Sequence, residues 1–549
     1  MKSSTKSILK FPEDHYEKGV RDVSADFLAL FYSVADLRRA AEQEPDRIGA
    51  DTILSISGVL MDGRYSNERR GLFLYREASE ALSACLEGCF DASLARLALD
   101  KLTLSLKNSS GFAHRATAEA LGRLPVQIRP IVMTPNVDSQ PVKLTWRQIQ
   151  EHFSIRPMDT PHGFGRSLVT PIPGDRLLVL KFARKEDSPS RLLHEIQWMY
   201  LLGGLEANWK DRFDVPKPVA CDGHHLLQIG DAPIPAGSEL HSGKYAVGFV
   251  STQQYFCYPN TLKLSEAEIF QEIISRNARL LAELAAMGII HTAPIPLFHN
   301  RVQTHRRRDG GVYEWFRGGR LDRWLESCAY PNLGASGIRD FEHFTFYEGR
   351  PLSLYRYIGS HILSLMLVIG SFFRHQDAER VGLDDHGNPV DARDLFDRDL
   401  LRATIKQMIT GYYNGFAGEA STEELPLDLD TLVDRMIDEM GVDRHMEEIL
   451  RVADQMQMSD ADFEAFLQIR GFSQNDQEEL IKGEQDITLL TGPHLGNFND
   501  TISLPELTAA TETISALCMA GRFWRENRPG EGRGETSFSP ANISGVPLC

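Results

Sequence analysis

Residues 126–262 interrupt a helical pattern that holds on both sides of them, and this restricts the possible folds more than any other feature of the chain. Short β-branched or leucine-rich runs alternate there with Pro, Gly and Asp, as in VQIRPIVMTP, RSLVTPIPGDRLLVLKFAR, HHLLQIG and KYAVGFVS. That is the grammar of short strands joined by tight turns, and it predicts a twisted antiparallel sheet. A single helix breaks into it, SRLLHEIQWMYLLGGL (190–205), with Pro189 between two serines as its start signal. Upstream, SADFLALFYSVADLRRAAEQ, GLFLYREASEALSACLEG, DASLARLALDKLTLSLKN and AHRATAEALGRLP repeat apolar residues at helical spacing. The last of them, closing on Leu121-Gly122 and Pro125, looks like a HEAT-type repeat helix. Helices resume with SEAEIFQEIISRNARLLAELAAMG (265–288), and the Gly-, Pro- and Ser-rich residues after about 525 read as a tail. The expectation is an α+β protein: an N-terminal helical, HEAT-like domain (1–125), a sheet lobe (126–262), a helical lobe (263–420), a C-terminal helical region (421–524) and the tail (525–549).

With 549 residues the chain is too long for one small fold. Its 59 Lys+Arg against 76 Asp+Glu leave a net charge of −17, which repels phosphate backbones and anionic headgroups. The basic run Arg306–Arg308 reads as a solvated loop before the hairpin GGVYEWFRGGR, so neither nucleic acid nor a membrane is expected as a partner. Seven scattered cysteines argue against a disulfide framework, and Cys85 with Cys89 lacks the second pair a zinc site needs. The N-terminus has no apolar signal region and no 18-residue apolar run occurs, so a cytoplasmic protein or injected effector is expected.

A small sheet with one inserted helix, followed by a larger helical lobe, is the layout of a protein kinase. Lys181 lies in the strand LLVLKFA behind the turn PGD, and Glu195 follows fourteen residues later in the inserted helix. A Lys–Glu ion pair so placed aims an ammonium at nucleotide phosphates. Gly163-Phe164-Gly165-Arg166 supplies a glycine turn before the preceding strand, although Leu168 occupies the third glycine position of G-x-G-x-x-G. After the 265–288 helix, GIIHTAPIPLFHNR puts His291 at the catalytic-loop histidine, but Ala293 where the aspartate base belongs and Phe298 at the asparagine. Ordinary phosphorylation of a hydroxyl therefore lacks its base. Arg339-Asp340-Phe341-Glu342 resembles the metal-binding D-F-G with Glu for Gly, and Asn332 with Asp340 is the pair expected to hold a divalent cation.

On these residues the chain resembles the SidJ family of pseudokinases, the bacterial protein glutamylases. The family pattern is an Arg fifteen residues before the strand Lys, a Glu fourteen after it, an Arg-x9-Tyr-x-Asn-x7-Asp run and a Tyr-Asn pair deeper in the helical lobe. This sequence offers Arg166, Lys181 and Glu195, then Arg320, Tyr330, Asn332 and Asp340, then Tyr413-Asn414 in TGYYNGF, across roughly 150 to 420. The resemblance implies a kinase-like bilobal core that uses ATP with Mg²⁺ (or Mn²⁺) to ligate free glutamate, or another amino acid, onto a carboxylate of an acceptor protein. Arg166, Lys181 and Glu195, with the cation at Asn332 and Asp340, would serve adenylation. A second pocket lined by His291, Arg320, Tyr330, Tyr413 and Asn414 would serve amino-acid transfer, with His299, Arg301 and Tyr313 as weaker candidates. A carboxylate nucleophile is already ionised at neutral pH and needs no base, which accounts for Ala293. The family's second metal acid falls on His343 here, with Glu342 as a substitute. The family works with calmodulin through a C-terminal IQ helix. The nearest match, Ile149-Gln150, lacks the Arg-Gly that should follow, which leaves an activator open and argues against calmodulin. AMP transfer or unconventional phosphorylation is the first alternative, and a nucleotide-binding scaffold without turnover is the second.

Overall fold

The computed structural model describes residues 24–418 with breaks, the longest at 129–134, 296–301, 318–329, 375–383 and 389–396, and beyond them 433–434, 437–438, 488–491 and 505–527. The chain is a mixed helix-and-sheet protein of two compact units: 1–125 with 300–321 and 451–520, and 126–299 with 322–450 and 521–549.

In the first unit, five helices follow the apolar spacing of the N-terminal region: α1 (Ala25–Gln43), α2 (Ala50–Met61), α3 (Arg69–Gly88), α4 (Ala92–Asn108) and α5 (Gly111–Gly122). Ser24 and Asp91 cap α1 and α4 by accepting from the backbone N–H of Phe27 and Ser93. Helix α3 packs against all four others, and its Tyr75, Ala78 and Leu82 are fully buried. Cys85 is buried as a small hydrophobe, as expected, while Cys89 lies outside the described residues. The buried His114 donates from Nδ1 to the Leu106 carbonyl at 3.0 Å and accepts at Nε2 from Thr513, 2.9 Å away on the helix Pro505–Glu526. Strands Val302–Arg306 and Val312–Arg317 pair antiparallel, which corrects the expected hairpin within GGVYEWFRGGR: that segment supplies one strand, Arg306 ends the other rather than lying in a loop, and Thr488–Thr491 adds a third antiparallel strand.

The second unit carries a seven-stranded sheet of β1 (Pro141–Leu144), β2 (His162–Phe164), β3 (Ser167–Ile172), β4 (Arg176–Phe182), β5 (Lys217–Val219), β6 (Leu226–Ile229) and β7 (Tyr245–Thr252). Their order is β1-β6-β7-β4-β3-β2, with β5 also paired to β7. The sheet is mixed, which corrects the all-antiparallel expectation: β1 runs parallel to β6, in register from Pro141↔Leu226 to Leu144↔Ile229. Strands so far apart in sequence have ample chain for the crossover that parallel pairing requires. Of VQIRPIVMTP, the described residues 126–128 form no strand, and most of the rest lies outside the described residues. Helix α6 (Trp146–Phe153) adds an unexpected helix to the sheet lobe, and its sequence signal is Thr145 with Gln148, which form a reciprocal capping box.

The inserted helix α7 (Pro189–Gly204) packs on β5, β6 and β7. The helical part begins with α8 (Ala267–Ala286), whose Phe270, Ile274 and Leu281 are buried, followed by the short strand β8 (Ile289–His291). A two-residue hairpin of β9 (Leu333–Gly334) and β10 (Gly337–Ile338) leads to β11 (Phe344–Phe346), which pairs antiparallel with β8. Helices α9 (Pro351–Arg374) and α10 (Arg398–Ala417) close the unit. Among the described residues, one stretch of α9, Pro351–Phe373, is long and apolar enough to cross a membrane, with mean hydropathy 1.4, and 67% of that window is buried inside the fold. Phe270 of α8 stacks on Phe372 of α9 with centroids 3.8 Å apart.

His361 of α9 ties three elements together. Its Nδ1 meets the Tyr412 hydroxyl on α10 at 2.8 Å, and its Nε2 donates to the His291 carbonyl on β8 at 2.9 Å. Burial pushes this imidazole down to about 4 from an ordinary 6.5. A base whose folded value lies below its unfolded one stabilises the fold fully above the unfolded value, and that contribution is lost as pH falls through 6.5 toward 4. At 1.36 kcal/mol per unit the loss approaches about 3 kcal/mol. Denaturant titrations at pH 7 and pH 4.5 should show His361→Gln less stable than the native protein at pH 7 and losing less on acidification. Equal acid losses in the two proteins would remove His361 as a source of the acid sensitivity.

Candidate functional site

The β2–β3 hairpin begins the site. Phe164 pairs with Ser167 across a two-residue turn, with Gly165 at φ +52°, a conformation glycine adopts without a Cβ penalty. The next residue, Arg166, accepts at its carbonyl from the Phe182 N–H at 2.9 Å, which seats it beside Lys181 on β4. Lys181 is buried, and its Nζ donates to Glu195 Oε1 at 2.9 Å and to Asp340 Oδ1 at 2.5 Å. Glu195 lies on α7 and is fully buried. Asp340 follows the β9–β10 hairpin with φ +59° and ψ +63°, a left-handed conformation uncommon outside Gly, Asn and Asp. The single 3₁₀ turn Phe341–His343 then places Glu342 in an ion pair with Arg166. His343 Nε2 reaches Asp340 Oδ2 at 3.2 Å and Glu342 Oε1 at 3.5 Å.

Three potential cations, Lys181, Arg166 and His343, thus interleave with three carboxylates, Glu195, Asp340 and Glu342. Burial alone would lower Lys181, but Asp340 and Glu195 outweigh it and hold the ammonium above its ordinary value. Burial would raise Asp340, yet Lys181 and His343 keep it well below the usual carboxylate range. Glu342 is likewise lowered, with Lys181, His343 and Arg166 overcoming its burial. For Glu195 burial wins over the attraction of Lys181, and its value rises. Burial opposes protonation of His343, but hydrogen bonds to Asp340 and Glu342 lift it to about 9.

The residues expected to form the first pocket, Arg166, Lys181, Glu195 and Asp340, are gathered in one network. Asn332, the expected partner of Asp340 at the cation, donates from Nδ2 to the carbonyl of Ala293 at 2.9 Å, and its own carbonyl accepts from the N–H of Arg339, the residue before Asp340, at 2.9 Å. Among the described His, Cys, Asp and Glu side chains, Asp340, Glu342 and His343 form a compact group whose ligating atoms all lie within 4.8 Å of one another. Two carboxylates and an imidazole are a fitting donor set for a divalent cation. The sequence signal was the run Asp340-Phe341-Glu342-His343, which one 3₁₀ turn folds onto itself.

His291, expected in the transfer pocket, is 1% exposed, and its Nε2 donates to the Arg339 carbonyl at 2.9 Å. Burial and the neighbouring His343 push it down to about 3, so it is neutral and holds the backbone that enters Asp340. Tyr330 is 37% exposed and meets Tyr258 edge-on at 5.2 Å. The buried guanidinium of Arg339 lies 3.3 Å from the centroid of the same Tyr258 ring and donates to the Tyr255 carbonyl. Tyr413 is buried in α10, and Asn414 follows it on that helix. Among the described residues no hydrogen bond or ring contact joins His291, Tyr330 and Asn414 to one another. Arg320, His299 and Arg301 lie outside the described residues, and Tyr313 is described only as part of its strand.

Beside α7 a cleft of about 520 Å³ is lined by Ser190, Arg191, His194 and Gln197, and Glu342 forms part of its wall. Neither the known protein-family models nor the curated proteins contain a match to this chain.

Proposed function

We propose that this chain is an ATP-dependent protein glutamylase with a kinase-like bilobal core. The observation that carries this reading is the Lys181 ammonium held between Glu195 and Asp340, the arrangement kinase-like folds use to meet nucleotide phosphates. Ala293 at the place of the base supports a nucleophile that is already anionic, since no group at that position takes a proton from a hydroxyl. In the proposed first step an acceptor carboxylate oxygen bonds to the α-phosphorus of ATP and pyrophosphate leaves. Lys181 and Arg166 bind the departing oxygens, and Glu195 fixes the Lys181 side chain. A divalent cation at Asp340, Glu342 and His343 would supply further neutralisation of phosphate charge. In the second step the amine of glutamate bonds to the acyl carbon, loses a proton and expels AMP, which leaves an amide. Tyr330, Asn414, Tyr413 and Arg320 remain the proposed contributors to that transfer, and the N-terminal helices are proposed as a HEAT-like partner-binding domain.

Incubation with ATP, Mg²⁺ or Mn²⁺, labelled glutamate and lysate as acceptor should give labelled protein with release of pyrophosphate. Mass spectrometry separates the alternatives: AMP retained on a Ser, Thr or Tyr side chain would replace ligation with AMP transfer. Nucleotide-dependent stabilisation, about 2.7 kcal/mol at 100 Kd, without any adduct for any amino acid would leave a binding scaffold instead.

A further inference from the structure

We infer that His343 is a direct ligand of the cation at Asp340 and Glu342, and that it makes the site favour Mn²⁺ and other transition-metal dications over Mg²⁺. His343 Nε2 stands 3.2 Å from Asp340 Oδ2 and 3.5 Å from Glu342 Oε1. Neighbouring ligands of an octahedral ion with bonds of about 2.1 Å are separated by about 3.0 Å, so His343 stands near that spacing from each carboxylate, and all three donor atoms lie within 4.8 Å of one another. They need only small movements to close on an ion.

Two features hold them in place. Lys181 fixes Asp340 through its other oxygen, Oδ1, and the backbone of Asp340 is set in the left-handed region, which brings its carboxylate onto the residue three positions later. Three protein donors occupy half of an octahedron. The remaining positions would be left for phosphate oxygens or water, and Glu342 also lines a cleft of about 520 Å³.

The identity of the third donor decides the metal. Mg²⁺ prefers six oxygens and keeps its waters, whereas imidazole is a good ligand for Mn²⁺, Fe²⁺, Co²⁺ and Zn²⁺. An oxygen-only set would discriminate little between Mg²⁺ and Mn²⁺. With one imidazole, affinity should climb from Mn²⁺ to Co²⁺ in the order expected for a nitrogen-containing site. The inference rests on the reading of Asp340 as the cation's carboxylate, but it does not require glutamylation.

The test uses the full chain without nucleotide. Calorimetric titration with Mg²⁺, Mn²⁺ and Co²⁺ at one pH should show Mn²⁺ at least tenfold tighter than Mg²⁺ and Co²⁺ tighter still. Pulsed electron paramagnetic resonance of the bound Mn²⁺ should show coupling to one nitrogen. His343→Asp should abolish that coupling and bring the Mn²⁺ to Mg²⁺ ratio close to one. His343→Gln, with an oxygen donor and no added charge, serves the same purpose if the aspartate variant does not fold. Equal Mg²⁺ and Mn²⁺ affinities in the native protein, no bound Mn²⁺, or nitrogen coupling that survives both substitutions would overturn the inference. A protein that binds Mn²⁺ through His343 but ligates no amino acid would overturn the proposed function alone. Ligation by a protein whose Mn²⁺ shows no nitrogen coupling would overturn only the inference.

Discussion

Lys181→Ala abolishes both pyrophosphate release and glutamate incorporation, and it also lowers the stability of the second unit; this is the expected result of removing the one ammonium shared by two carboxylates. Preorganised cationic stabilisation of a leaving group is worth about 3–4 kcal/mol, a rate factor of several hundred or more. Breaking a buried ion pair from one side costs about 3–5 kcal/mol, because the remaining charge has lost its counterion. Glu195, already raised by burial, would then take up a proton in the folded state. A carboxyl raised above its unfolded value stabilises the fold at low pH, and that contribution is lost as pH rises. The variant should therefore be closer to the native protein in stability at pH 5 than at pH 8. Denaturant titration at both values tests the sign, and a labelling assay on protein shown to be folded tests the chemistry. A folded Lys181→Ala protein that ligates glutamate at the native rate would exclude this network from the reaction.

Gly415→Ala should destabilise the same unit, against the usual direction. In a helix interior Ala is favoured over Gly by about 1 kcal/mol. Here a Cβ at position 415 would fall 2.7 Å from the Arg279 carbonyl oxygen and 2.9 Å from the Ala282 Cβ, both on α8. One turn earlier, a Cβ on Gly411 would lie 3.1 Å from the Ser275 carbonyl oxygen. The two glycines let α10 approach the backbone of α8, and a methyl group at 415 forces the helices apart. Overpacking of this kind costs about 1–3 kcal/mol, enough to reverse the propensity gain. Asn414→Ala, between the glycines, provides the comparison: loss of ligation with little loss of melting temperature would give Asn414 a role in transfer that the glycines lack. A melting temperature for Gly415→Ala equal to or above the native value would show that the contact relaxes freely.

These two substitutions also mark where the sequence was informative. The pairing of Lys181 with Glu195 could be read because both ends lie on regular elements, a strand and a helix whose periods fix which face each side chain takes. The turn PGD, the inserted helix and the long helix before His291 carry strong local signals, and they appear at β3–β4, α7 and α8 within a few residues of their expected limits. The pairing of Arg166 with Glu342 could not be read, since it depends on a tight hairpin and a left-handed aspartate 174 residues apart in the chain. The parallel β1–β6 pair left no local trace for the same reason. In TGYYNGF the glycines flanking Tyr413 and Asn414 are what set α10 against α8. Helical period identifies a small-residue face only when the partner helix is known.

The alternation of Lys181, Arg166 and His343 with Glu195, Asp340 and Glu342 has a consequence for how ligands arrive. With His343 protonated the six groups sum to zero, so an anion approaching alone meets cations already engaged by carboxylates. A cation approaching alone must displace the proton and the attractions that His343 supplies. In the proposed reaction the metal would draw Asp340 and Glu342 while the phosphates would take over Lys181 and Arg166, and each exchange would relieve the other. The two ligands are then heterotropic partners. By linkage, whatever factor the cation adds to nucleotide affinity the nucleotide would return to the cation, so each ligand of the proposed reaction would bind more tightly in the presence of the other than alone.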